Sequence, residues 1–142
     1  MIKKLLFLSL FFTFSFVSAQ FESPVTLSAK VDDIARPGEV AEIVVSASMD
    51  EEWWIYALRD QGKGPVASNV TVASDIVEKA GMVLEEEPTE KYDEGFLTTT
   101  KFHKGGALFT APILLKSNIY PGTYDLEVSV LYQVCNVSLC YP

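Results

Sequence analysis

Apolar and polar residues alternate at period two along several short runs of this chain, with turn signals between the runs. That pattern admits little besides half-buried β-strands. Val25-Thr26-Leu27-Ser28-Ala29-Lys30-Val31 buries one side of a strand and offers the other to water, and Ala41 to Met49 repeats the pattern with Ile43, Val45 and Ala47 on one face. Trp53 to Tyr56 reads as a short aromatic strand and Asn69 to Val77 as another. Phe96 to Phe102 and Ala107 to Leu115 read as the arms of a hairpin across Lys104-Gly105-Gly106. Tyr124 to Val134 alternates through Tyr124, Leu126, Val128, Val130 and then Tyr132 or Val134. Arg36-Pro37-Gly38-Glu39 and Tyr120-Pro121-Gly122-Thr123 are turn signals, the second of type II, with proline setting φ and glycine permitting φ > 0. Residues 57–66 form a loop closed by Gly64-Pro65, and residues 78–95 are acidic and irregular. Seven or eight strands without an amphipathic helix predict an all-β protein, a β-sandwich.

The N-terminus has the composition of an export signal. Lys3 and Lys4 precede an apolar run from Leu5 to Val17, too short for a comfortable membrane span, and Val17-Ser18-Ala19 supplies small residues before a cut between Ala19 and Gln20. Residues 1–19 are therefore expected to be a signal peptide and residues 20–142 one domain. The leader removes two of the 11 basic residues and none of the 19 acidic ones, which leaves a mature net charge of −10. Such a charge argues against nucleic acid as a partner.

The chain has two cysteines, Cys135 and Cys140, close to its end. An exported protein with one such pair either carries a small disulfide or uses the pair for redox chemistry. On a straight strand the two would lie roughly 16 Å apart and on opposite faces. A bridge needs Cα atoms within about 7 Å, so a bonded pair requires a turn inside Asn136-Val137-Ser138-Leu139. Closing so short a ring contributes only about 2 kcal/mol in the chain-entropy model. An inert local disulfide and a redox pair both remain open on these grounds. Metal is disfavoured, because zinc would need two more ligands and His103, which reads as a surface residue, is the only histidine.

Tyr132-Gln133-Val134-Cys135 and Cys140-Tyr141-Pro142 resemble the Tyr-Gln-x-Cys…Cys-x-Pro segment of the N-terminal periplasmic domain family of the thiol:disulfide interchange protein DsbD. Trp53-Trp54-Ile55-Tyr56 with Gly64-Pro65 is similar to that family's aromatic strand and the element after it. Tyr92-Asp93-Glu94-Gly95-Phe96 is similar to its acidic and aromatic cap loop. The resemblance implies an immunoglobulin-like β-sandwich. The family segment continues with another proline and a closing strand, whereas this chain stops two residues after Cys140, so the expectation is either a piece of a truncated or split gene product or a free-standing sandwich lacking its last strand.

The resemblance also implies a function: part of a periplasmic protein-disulfide reductase that uses no cofactor. Electrons would come from the membrane electron-transfer domain of a DsbD-like protein and pass to periplasmic thioredoxin-like proteins, serving disulfide isomerisation, cytochrome c biogenesis or peroxide defence. Cys140 would attack the partner disulfide and Cys135 would resolve the mixed disulfide. Tyr92 or Phe96 would shield the sulfurs, and Asp93 and Glu94 beside a thiol would disfavour its thiolate. Trp54 and Tyr56 would flank the pair, or one of them would fill the core. The competing expectation is a secreted sandwich module for binding or structure, with an inert disulfide.

Overall fold

The structure, a computed structural model, describes residues 23–31, 34–58 and 64–142. The expected leader lies outside the described residues. Among the described residues all elements are strands: β1 Thr26–Val31, β2 Val40–Ser48, β3 Trp54–Tyr56, β4 Asn69–Ala73, β5 Val77–Ala80, β6 Leu84–Glu85, β7 Thr89–Asp93, β8 Thr98–Lys104, β9 Gly106–Leu115, β10 Glu127–Leu131, β11 Val134–Cys135 and β12 Cys140–Tyr141. One antiparallel sheet runs β1-β2-β9-β5, with β6 also on β9; a second runs β12-β11-β3-β8-β7; β10 and β4 pair separately. The result is the expected immunoglobulin-like sandwich.

Alternation builds the core. Ile43, Val45 and Ala47 of β2 face inward beside Phe109, Ala111, Ile113 and Leu115 of β9, while Ile55 and Val134 come from the second sheet and Val70 from β4. Burying each of the larger side chains contributes roughly 1.5–3 kcal/mol. The Pro37-Gly38 turn forms as the sequence implies, with Gly38 at φ 80° and the Glu39 amide donating to the Arg36 carbonyl at 3.0 Å.

Several expectations are corrected. The β8 and β9 strands are not a hairpin: β8 pairs with β3 and β7, and β9 with β2, β5 and β6. Between them the chain crosses from one sheet to the other at Gly105, whose φ of 73° permits the corner. Its amide donates to the Trp53 carbonyl and its carbonyl accepts from the Met49 amide, both at 3.0 Å. Residues 78–95 are not irregular but hold most of β5 and all of β6 and β7; their side chains are largely solvated, so no apolar alternation marks them. The strand expected through Val77 ends at Ala73, and β5 starts after a turn. Gly122 has no positive φ, so its turn is not type II; the Tyr124 ring lies over Gly122 and its hydroxyl donates to the Tyr120 carbonyl at 2.6 Å.

His103 is not on the surface. It is 6% exposed, faces the core from β8, and its Nε2 lies 3.0 Å from Glu85 Oε2. The same carboxylate oxygen accepts the Leu58 amide at 2.9 Å. This buried cluster ties β8, β6 and the segment after β3 together, and Phe109 packs edge-on against the imidazole.

Candidate functional site

Residue parity on three short strands places the site. In β3, Ile55 points into the core, so Trp54 and Tyr56 must point to the outer face of the second sheet. Cys135 is in register with Trp54 and Cys140 with Cys135, so both cysteines share that outer face. Lys104 is opposite Trp54 and Phe102 opposite Tyr56. Neither Trp54 nor Tyr56 belongs to the main apolar cluster between the sheets, although Tyr56 is buried on the second sheet's outer face; of this aromatic run Trp53 packs against that cluster. The sequence suggested that one of the first two fills the core, and strand parity excludes it.

Cys135 and Cys140 form a disulfide, with Cα atoms 4.1 Å apart. The required turn is present. The Asn136 amide donates to the Leu139 carbonyl at 2.8 Å, and Asn136 Oδ1 accepts the Ser138 and Leu139 amides, each at 2.8 Å. One asparagine side chain thus satisfies the donors of a turn that a straight strand would leave unpaired. The two sulfur-bearing residues differ in access: Cys135 is 0% exposed, whereas Cys140 is exposed on the edge strand β12. Tyr141 holds that edge by pairing with Val134 and by stacking on Trp53, ring centroids 5.9 Å apart.

Opposite the cysteine hairpin stands the β7–β8 hairpin. Its turn, residues 94–97, faces Asn136 to Cys140 across an open groove of about 810 Å³. Trp54, Tyr56, Tyr92, Asp93, Glu94 and Phe96 all line this groove together with Cys140, so the side chains expected to flank or cap the cysteine pair lie in one place. Phe96 packs edge-on against Tyr56, with centroids 6.2 Å apart. Tyr92 is 55% exposed and lies on the opposite pleat from Asp93.

Asp93 organises the cap turn. Its Oδ1 accepts the Gly95 amide at 2.9 Å and the Phe96 amide at 3.3 Å, and its Oδ2 accepts the Tyr56 hydroxyl at 3.2 Å. The carboxylate expected to act on a thiol is therefore engaged with Tyr56 and the turn. Tyr56 is 1% exposed, and burial pushes its hydroxyl above the ordinary value of 10; a hydrogen bond from Trp54 opposes this, and the charge and hydrogen bond of Asp93 add to it. Leu97 closes the turn at φ 54°, in the left-handed region that leucine rarely adopts.

Two features escaped sequence reasoning. Gln133 accepts the Val66 amide on Oε1 at 2.8 Å, which ties the Gly64-Pro65 segment to the strand that carries Cys135. The Tyr132 and Ser23 hydroxyls share a hydrogen bond of 3.0 Å. Tyr132-Gln133 was visible as a motif, but its partners lie far away in the chain. Phe102, Lys104 and Lys91 line the groove too, and only the strand register reveals it. Among the described residues no group of three or more His, Cys, Asp or Glu could hold a metal ion.

The crystal structure of the Neisseria meningitidis DsbD N-terminal domain in the reduced form is similar to this chain, with 21% identity and a TM-score of 0.47, covering 76% of this chain and 71% of that one. No curated protein matches the chain. The family model described as thiol:disulfide interchange protein DsbD, N-terminal, matches residues 20–142. With a bridged cysteine pair inside that match, the chain belongs to the DsbD N-terminal domain family, whose chemistry is thiol–disulfide exchange.

Proposed function

We propose that residues 1–19 direct export and that residues 20–142 work in the periplasm as a thiol–disulfide exchange domain using Cys135 and Cys140. The observation that carries the division of labour is the unequal access of the pair, Cys140 exposed and Cys135 buried. Attack on a protein disulfide needs a reachable sulfur, whereas resolution needs a second thiol close by and shielded from other reactants. In the reduced domain the Cys140 thiolate attacks one sulfur of a partner disulfide. A Cys140–partner bond forms, the partner S–S bond breaks, and the departing thiolate takes up a proton. The Cys135 thiolate then attacks Cys140 Sγ, re-forming the Cys135–Cys140 bond and releasing the second partner thiol. Two electrons pass to the partner.

The acceptors on this reading are thioredoxin-like periplasmic proteins, and the membrane electron-transfer domain of a DsbD-like protein restores the dithiol. The cap turn around Phe96 forms the wall of the groove opposite Cys140, where a docking partner would meet it. In cells exporting the full chain, Cys135→Ala is expected to accumulate mixed disulfides through Cys140, visible on non-reducing gels, and Cys140→Ala is expected to accumulate none. A pattern with the two variants exchanged would reverse the roles. No adducts from either, together with a potential for the pair below about −300 mV, would mark a structural bond and end the proposal.

A further inference from the structure

Cys140, Cys135, Trp54 and Lys104 lie in one row across four strands of the second sheet's outer face. Adjacent strands are about 4.8 Å apart, so the Lys104 Cα sits roughly 14 Å from that of Cys140. Lys104 is exposed, and so is Lys91, which lies on the same face opposite Thr100. Both line the groove, and neither forms an ion pair among the described residues, where the pairs are Arg36–Glu39, Lys101–Glu90 and His103–Glu85. Two cations outside any such ion pair in the groove that holds Cys140 are an exception in a chain with net charge −8. Of the acids on the facing wall, Asp93 is engaged by Tyr56 and the turn amides, which leaves Glu94. Between the cysteines and Lys104 the floor is the half-buried ring of Trp54, tilted against Phe102.

Resting on the reading of Cys140 as the attacking sulfur, we infer that the groove selects an extended partner segment that runs from its reactive cysteine over Trp54 and sets a carboxylate against Lys104. An extended chain advances about 3.3 Å per residue and returns every second side chain to the same face, so the carboxylate belongs about four positions from the partner cysteine. The acidic surface elsewhere repels an acidic partner, so this local pairing fixes where and in which direction the segment docks. An exposed ion pair of this kind changes rates by about two- to fivefold.

The test uses the reduced full chain and short peptides whose single cysteine is capped with thionitrobenzoate, carrying Glu, Gln or Lys about four positions to either side. Release of thionitrobenzoate reports attack. The Glu peptide is expected to react fastest, the Gln peptide about two- to fivefold more slowly and the Lys peptide more slowly still. The preference should vanish in Lys104→Gln, invert in Lys104→Glu and shrink at high salt. Equal rates for the three peptides, or a Glu preference unchanged in Lys104→Gln, would overturn the inference while leaving the exchange reading intact. No release from any peptide would instead strike at the exchange reading itself.

Discussion

Replacing Tyr56 with Phe tests the link between the aromatic strand and the cap turn. The change deletes one oxygen from a side chain that is 1% exposed and keeps the ring edge-on to Phe96, so no cavity opens. What is lost is the hydrogen bond to Asp93 Oδ2 at 3.2 Å. Bonds to charged acceptors contribute about 1.5–3 kcal/mol, but Asp93 is only half-buried and keeps its two turn amides, so water takes over the freed oxygen and the loss should be about 1 kcal/mol. A second signature lies at high pH. The Tyr56 hydroxyl is raised above 10, first by burial. In the unfolded chain the phenol ionises near pH 10, while the folded chain still holds its proton. The stabilisation is therefore complete below about pH 10 and is lost as pH rises through the folded value, with a slope of at most about 1.4 kcal/mol per pH unit. The variant lacks this term, so the gap between the two proteins should shrink above about pH 10. Urea titrations of the oxidised protein from neutral to alkaline pH, followed by Trp fluorescence, measure both quantities. A variant within about 0.3 kcal/mol of the parent at neutral pH, or the same slope in both proteins above about pH 10, would refute the reasoning.

Leu97→Gly should raise stability by about 0.5–1 kcal/mol. It removes a left-handed leucine that is 75% exposed, and the flexibility of glycine in the unfolded chain offsets part of the gain. A lowered urea midpoint would show that the leucine side chain contributes more than its backbone strain costs. His103→Leu should destabilise by about 3 kcal/mol, because it leaves the buried Glu85 carboxylate with the Leu58 amide alone. Adding Glu85→Gln should recover part of that loss, and a double-mutant cycle without coupling between the two positions would count against the cluster as described.

Strand alternation made β2 and most of β9 legible, because each buries one face; β1 forms where its alternation implies a strand, but all six of its residues are exposed, so the expected buried side is absent. Alternation says which side a residue takes and nothing about which strand lies beside it. For that reason Phe96–Phe102 and Ala107–Leu115 read as a hairpin although Gly105 carries the chain between sheets. Residues 78–95 read as irregular because their strands expose most side chains, and backbone pairing leaves no trace in composition. His103 reads as a surface residue until Glu85, 18 positions away, is brought against it. The aromatic run Trp53-Trp54-Ile55-Tyr56 was visible, but which of its rings face the core depends on a single parity that Ile55 sets.

The sequence by itself determined that the chain is a β-sandwich, that a bonded Cys135 and Cys140 must bracket a turn, and that the flanking Tyr-Gln and Tyr-Pro mark the family. These are local properties: strand periodicity, chain reach and a contiguous motif. The tertiary structure decided that Cys140 is exposed and Cys135 buried, that Asp93 binds Tyr56 and the cap turn, and that Lys104 shares a row with the cysteines. Those outcomes depend on register between strands distant in sequence, set when the whole core packs and each strand finds its neighbour.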